Sequence, residues 1–222
     1  MKIGVFGDSY ANKDTNESIW WKYLNTKYLH QVECWGEAGS SLLFSAKLLY
    51  EHYKNYDLNI WCLTQPQRYT IRHNSNNIHI TGRHHCKVNN FDLQNKIDIT
   101  EKFLNLVVDV DDAEFAAYCI TEYLKNKIPN LLTIPTFATR YYGKDFNLFD
   151  LCVQETSHYF TDPDLASIYD HYIDMRSGHF TDETHSKLAS LINNSLQPGT
   201  FTATYADFDA PTTTFEQIFK RK

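Results

Sequence analysis

Short apolar runs alternate with amphipathic stretches along most of the chain. Lys2–Phe6 reads as a strand, ended by Gly7-Asp8-Ser9. A helix follows, with Thr15 or Asn16 as its cap, Glu17 at its positive end, and Ile19, Trp20, Tyr23 and Leu24 on one face. Residues 31–35 read as a second strand, ended by Gly36 and Gly39. Ser40 or Ser41 caps the next helix, whose stripe is Leu42, Leu43, Ala46, Leu49, Tyr50 and Tyr53. Residues 58–64 form a near-continuous apolar strand that Pro66 stops. Over 69–95 the pattern weakens into a long loop or hairpin, with a hint of a strand at Ile78, Ile80 and Thr81.

The spacing predicts a helix over 100–108. Asp111 with Glu114 suggests a capping box for another, carrying Phe115, Cys119, Ile120, Tyr123 and Leu124, and Pro129 closes it. Residues 131–134 read as a fourth strand and 148–153 as a fifth. Thr181 caps a final helix with Leu188, Ala189 and Ile192 inward. From Gln197 the chain is Thr-rich and weakly periodic, an arm with a short helix near 215–219. Strands alternating with helices imply right-handed crossovers and a parallel sheet covered on both faces. The expectation is one α/β domain over 1–222: a three-layer α/β/α sandwich on a mostly parallel five-stranded sheet, flavodoxin-like, with an insertion at about 69–110 and an arm at about 197–222. Ligands of such sheets bind at the carboxyl ends of the strands.

Composition narrows the class. A chain of 222 residues with 42% hydrophobic and 22% charged residues has the profile of an ordinary globular domain. The net charge of -6 and the lack of a Lys/Arg cluster argue against nucleic acid as a partner. Lys220, Arg221 and Lys222 read as a solubilising tail. Cys34, Cys62, Cys86, Cys119 and Cys152 are odd in number, without CxxC, and four lie in apolar runs. They read as buried reduced thiols. No signal-peptide core and no apolar run long enough to span a membrane is seen, so the expected location is the cytoplasm.

Three segments carry candidate chemistry. Ser9, in a Gly-Asp-Ser turn after the first strand, sits where a helix N-terminus favours charge on a reacting oxygen, although such a triplet is also a common turn. Gly36-Glu37-Ala38-Gly39-Ser40-Ser41 follows the second strand. The Gly39 amide can donate to an oxyanion beside that of Ser9, and the plainer reading is a strand-to-helix turn. These glycines do not match a dinucleotide fingerprint. Residues 174–181 place His179 in a loop before the last helix with Asp174 to orient it, or form a merely solvated polar loop.

Gly7-Asp8-Ser9-Tyr10, then Gly39, then His179-Phe180-Thr181 with Leu188-Ala189, in that order, resemble the blocks of the SGNH/GDSL hydrolases. The resemblance implies a serine esterase with Ser9 as nucleophile, His179 as base and Gly39 as an oxyanion donor. It implies small acyl substrates, such as O-acetyl groups on a glycan, or a lipid ester. Two departures stand out. The third block's Asn is replaced by Leu63-Thr64-Gln65-Pro66-Gln67-Arg68, leaving Thr64 or Gln65 as third donor. The residue three before His179 is Arg176, so the acid must be Asp174. A literal Asp-x-x-His, Asp182 to His185, lies inside the last helix, where His185 shares the apolar face. His179 is the preferred base because a loop reaches Ser9 more readily.

The departures keep a rival open, a catalytically degenerate SGNH-like binding or structural protein. A nucleotide or phosphate binder using the same turns is a second, opposed by the absence of a P-loop lysine. His79, His84, His85 and Cys86 match no common zinc spacing, and neither metal nor cofactor is expected. Arg68 either binds an acidic or carbonyl group of the substrate or pairs with a surface carboxylate. The four tryptophans read as packing residues. The insertion and arm are candidates for a lid or a dimer contact.

Overall fold

Six consecutive buried residues form the middle strand, β3 (Leu58–Leu63), of a five-stranded sheet. Its residues alternate between two cores, as they must in a parallel sheet covered on both faces. Leu58, Ile60 and Cys62 join one core; Trp61 and Leu63 join the other. The computed structural model describes residues 1–13, 19–73, 76–80, 91–106, 108–143, 145–149, 151, 180 and 182–208.

The other strands of this sheet are β1 (Lys2–Phe6), β2 (Gln31–Cys34), β6 (Leu131–Pro135) and β7 (Gly199–Thr200). Their order is β2-β1-β3-β6-β7 and every pairing is parallel. Helices α1 (Trp20–Thr26) and α5 (Asp182–Asn194) cover one face, through Trp20, Leu24, Leu188, Ala189 and Ile192. Helices α2 (Leu42–His52) and α4 (Val110–Lys127) cover the other, through Leu42, Ala46, Leu49, Ala117 and Leu124. The expected three-layer α/β/α arrangement on a parallel sheet is therefore found.

The described residues of the insertion form a hairpin and a helix. β4 (Tyr69–His73) and β5 (Asn76–Ile80) form an antiparallel hairpin. Helix α3 (Phe91–Leu106) starts well before the expected residue 100 and packs on it around Ile80, Ile97 and Leu104.

Several local expectations change. The cap of α4 is Asp109, whose carboxylate accepts from the amides of Asp111 at 2.7 Å and Asp112 at 3.2 Å. Glu114 is not part of a capping box but accepts from the Arg140 amide at 2.9 Å. The buried face of α4 is Ala117, Thr121 and Leu124. Phe115 lies outside the core, its ring beside Tyr141, and Tyr123 and Cys119 are exposed. The small residues bring α4 close to the sheet, and the larger aromatics fall outside that contact. In α2, Leu43 and Tyr50 are likewise exposed. Ser45 takes a core position because its hydroxyl oxygen accepts from the Trp61 indole at 3.0 Å.

Leu148, Phe149 and Leu151 are helical, so 148–153 does not supply the fifth strand. A short apolar run does not by itself distinguish strand from buried helix. The fifth strand is β7, two residues that the polar sequence around 199 conceals. Beyond it Phe201 is buried and Phe208 stacks on Phe146 at 5.6 Å. Thr15, Asn16, Glu17 and Thr181, offered as helix-capping residues, lie outside the described residues, as do 215–219, Cys86 and Cys152. Among the described cysteines Cys62 is buried, Cys34 half-buried and Cys119 exposed; all three are free thiols. No helix among the described residues is long and apolar enough to cross a membrane.

Candidate functional site at the switch point of the sheet

In sequence order the five strands run 2-1-3-4-5 across the sheet, so the chain reverses its direction of winding between β1 and β3. A doubly wound sheet opens a crevice there, outside the carboxyl ends of the strands. Gly7-Asp8-Ser9 leaves β1 at that edge and Thr64 to Arg68 leaves β3 beside it.

Ser9 opens a short 3-10 turn, Ser9–Ala11, capped by the Asp8 carboxylate, which accepts from the Tyr10 amide at 3.2 Å. Gly7 has φ +149°, and a Cβ there would lie 2.6 Å from that of Cys62, so no other residue fits the turn without displacement. The Ser40 hydroxyl donates to the Gly7 carbonyl at 3.0 Å, tying the turn after β2 to the turn after β1. Ser9 is 5% exposed, and its hydroxyl oxygen is buried without a hydrogen-bond partner among the described residues.

Asp8, the residue before Ser9, forms an ion pair in which both side chains are fully buried. Arg68 Nη1 contacts Asp8 Oδ2 at 2.6 Å and Thr64 Oγ1 at 3.0 Å. The Thr64 hydroxyl is 2.9 Å from Asp8 Oδ2 and 3.2 Å from the Ser40 carbonyl, so its single proton is directed into this network. The guanidinium lies over the Phe137 ring, 4.7 Å from its centroid. Its Nε and Nη2 are buried and unpartnered. The carboxylate that Arg68 pairs with is not on the surface, where it was expected, but is the buried Asp8 of the serine turn. Gln65 instead lines a cavity of about 260 Å³ with Gln67, Glu114, Phe137 and Phe149.

The sequence offered no sign that the hairpin joins this edge. His79 Nδ1 lies 2.9 Å from the Thr70 hydroxyl and its Nε2 lies 3.2 Å from Glu37. Thr70 also accepts from the Ser41 amide at 3.1 Å, and Glu37 accepts from Lys13 at 2.9 Å and Asn77 at 3.0 Å. Burial depresses the His79 pKa, although the Glu37 hydrogen bond and charge oppose this. Burial alone would raise the Glu37 pKa, but the Lys13, Asn77 and His79 hydrogen bonds and the Lys13 charge bring it below the usual value. A neutral His79 thus donates from Nε2 to an ionised Glu37 and accepts from Thr70 at Nδ1. This clamp holds the hairpin over Gly39, whose φ of +75° suits glycine.

His179 and Asp174, the expected base and its orienting acid, lie outside the described residues, as do His84 and His85. His185 is described. It is 7% exposed on α5 and its Nδ1 accepts from the Trp20 amide at 3.3 Å. It therefore caps α1, where Ile19 supplies no side-chain cap. Burial pushes its pKa down to about 4, against the opposing charge of Asp182. With Nδ1 accepting, the neutral ring carries its proton on Nε2. Its ring edge meets Phe180 at 5.1 Å, and Phe180 packs against Tyr10 at 5.7 Å. Among the described residues no three His, Cys, Asp or Glu side chains form a candidate metal site. In comparisons with protein-family models, curated proteins and solved structures, nothing matches this chain.

Proposed function

We propose that the chain is a serine hydrolase of the SGNH/GDSL type that cleaves carboxylic esters. The observation that carries the reading is the Ser9 hydroxyl: buried, unpartnered and placed at the β1/β3 switch point. A buried hydroxyl without a partner costs roughly 1–3 kcal/mol, and a catalytic role is one of the few reasons such a group persists in a native interior. Further support comes from the chain neighbours. Tyr10 follows Ser9, Phe180 follows His179, and these two rings are in contact. The use of His185 as a helix cap leaves His179 as the preferred base.

In this reading Ser9 Oγ attacks the ester carbonyl carbon while His179 takes its proton, with Asp174 holding the imidazole. The amides of Ser9 and Gly39 stabilise the oxyanion, and Gln65 is the side chain left to assist, since Thr64 is directed towards Asp8. The alcohol leaves with the proton from His179. Water, deprotonated by His179, then releases the acid from Ser9. The substrate is a small-molecule, glycan or lipid ester, and no cofactor enters the scheme. The free thiols are compatible with a reducing, cytoplasmic location.

The small exposure of Ser9 supports a second reading, a degenerate member of the same fold that binds without hydrolysing. A fluorophosphonate probe decides between them. Covalent labelling that disappears in Ser9→Ala supports the hydrolase. Absence of labelling of folded protein, with no turnover of p-nitrophenyl esters, supports the binding protein.

A further inference from the structure

We propose that the outer face of α4 is a contact between two copies of this chain, packed antiparallel about a two-fold axis at Cys119. The inference is independent of the hydrolase reading.

Helix α4 is covered on one side only. Ala117, Thr121 and Leu124 are buried, while Phe115, Cys119 and Tyr123 recur every four residues on the opposite side. Phe115 is 53% and Tyr123 57% exposed, and Cys119 is exposed between them. Leu43 and Tyr50 of α2 are also exposed, and with Tyr123 they line a depression of about 320 Å³ between the two helices. Half of the exposed large apolar side chains among the described residues lie on these two helices, a concentration rather than the ordinary scatter.

The charges select a second copy as the occupant, and they also select its direction. The first turn of α4 carries Asp111 and Asp112 after the Asp109 cap, and its last turn carries Lys125 and Lys127. A parallel copy would set acid against acid and base against base. An antiparallel copy sets each acidic end on a basic one and opposes the two helix dipoles. Cys119 lies at the middle of this 18-residue helix, so a two-fold axis there matches positions equally far from it on either side. Phe115 then faces the partner's Tyr123, and the axis repeats that aromatic pair. Asp112 faces the partner's Asn126, and Asp111 faces the partner's Lys127. Asp111 also holds Arg140 at 2.8 Å, so its rim contact adds direction more than affinity. The helices overlap along about 27 Å, and with the α2 side chains the contact reaches roughly 1,000 Å², the lower end of specific interfaces. Dissociation at micromolar concentrations is the expected strength.

The test is sedimentation velocity of the full chain from about 1 to about 200 μM, with copper-phenanthroline oxidation as a second reading. The sedimentation coefficient should rise with concentration from that of a monomer to that of a dimer. Phe115→Glu, at an exposed position, should keep the wild-type circular dichroism spectrum and weaken association at least about 100-fold, because two carboxylates replace two rings at the contact. Helix axes about 8–10 Å apart bring facing Cβ atoms within disulfide reach, so oxidation should give a covalent dimer that Cys119→Ser abolishes. A monomer at every concentration, or a dimer that Phe115→Glu leaves intact, overturns the proposal. So does a solution dimer that yields no covalent dimer, or one that Cys119→Ser cross-links equally well. If Phe115→Glu does not fold, oxidation of the wild type and of Cys119→Ser decides alone.

Discussion

Replacing Arg68 by Met removes a guanidinium whose side chain is fully buried against Asp8 at 2.6 Å. The stem is retained in length, so the loss is mainly electrostatic. Removing one partner of a buried pair typically costs about 3–5 kcal/mol, because the other charge stays buried without compensation. Two features place this site at the low end of that range. Asp8 retains the Thr64 hydroxyl at 2.9 Å and the Tyr10 amide at 3.2 Å. The native arginine also carries two unpartnered nitrogens, whose desolvation cost disappears with it. The expected destabilisation is about 3 kcal/mol, a large part of the 5–15 kcal/mol typical of a whole domain. Urea unfolding followed by far-UV circular dichroism reads it as a lower midpoint with an unchanged slope. The double variant Asp8→Asn/Arg68→Met should recover much of the loss, since neither charge then remains. The coupling in that cycle reports the pair itself. A single-variant loss below about 1 kcal/mol, the range of exposed pairs, would refute the buried-pair reasoning.

Ser9→Ala removes an unpartnered buried hydroxyl, so its urea midpoint should be unchanged or higher, by at most about 1 kcal/mol, while probe labelling is lost. A clearly less stable variant would mean that the hydroxyl has a structural partner. Gly39→Ala places a Cβ at φ +75°, at a cost of about 1–2 kcal/mol, and disturbs the proposed oxyanion amide, with an expected loss of about 100-fold in kcat. Wild-type stability there, measured by thermal unfolding, would contradict the left-handed assignment. His185 has a folded pKa near 4 against the ordinary histidine value of 6.5, so the unfolded chain takes up a proton first as the pH falls. Its contribution is whole above pH 6.5, declines towards pH 4 and is flat below, a change of about 3 kcal/mol that His185→Gln should remove. Equal losses in wild type and variant between pH 7 and pH 4, from urea midpoints, would count against it.

The parallel sheet was legible because β1, β3 and β6 are largely apolar runs that end at or near glycine or proline. β3 is buried at every position, and its sequence is apolar at all of them but Asn59, whose amide donates to the Tyr53 carbonyl and to Asn130. β7 was not legible: two residues carry no period, and their place is set by pairing with Leu132 and Thr133. Ser9 and Gly39 could be placed because a strand end and a glycine turn are local features. Arg68 and His79 could not, because their roles depend on contacts 60 and 42 residues away in the chain. His185 illustrates the converse. Its helical spacing correctly placed it on a packed face, but its partner, the first amide of α1, is 165 residues distant. Charge, size and periodicity in a sequence indicate that such a residue is buried, but not what it binds.

Three strand ends converge where, among the described residues, hydrogen bonding is least complete. Ser9 Oγ follows β1, and Gln67 Oε1 and the Arg68 Nε and Nη2 follow β3; Thr136 Oγ1 follows the neighbouring β6, and all five atoms are buried and unpartnered. Polar satisfaction is otherwise close to complete in native interiors, so these positions carry a stability cost that packing elsewhere must offset. The offset is visible nearby: Gly7 is locked by Ser40, Asp8 by Arg68 and Thr64, and Glu37 by Lys13, Asn77 and His79. Unpartnered donors and acceptors fixed by a rigid, charged frame are the arrangement that preorganised recognition requires, because the frame has been ordered before a ligand arrives. On this argument the Asp8–Arg68 pair acts by fixing the orientation of the serine turn and of the free guanidinium edge together. A variant that loosens it should therefore lose ligand recognition and stability in parallel, whereas Ser9→Ala should separate the two.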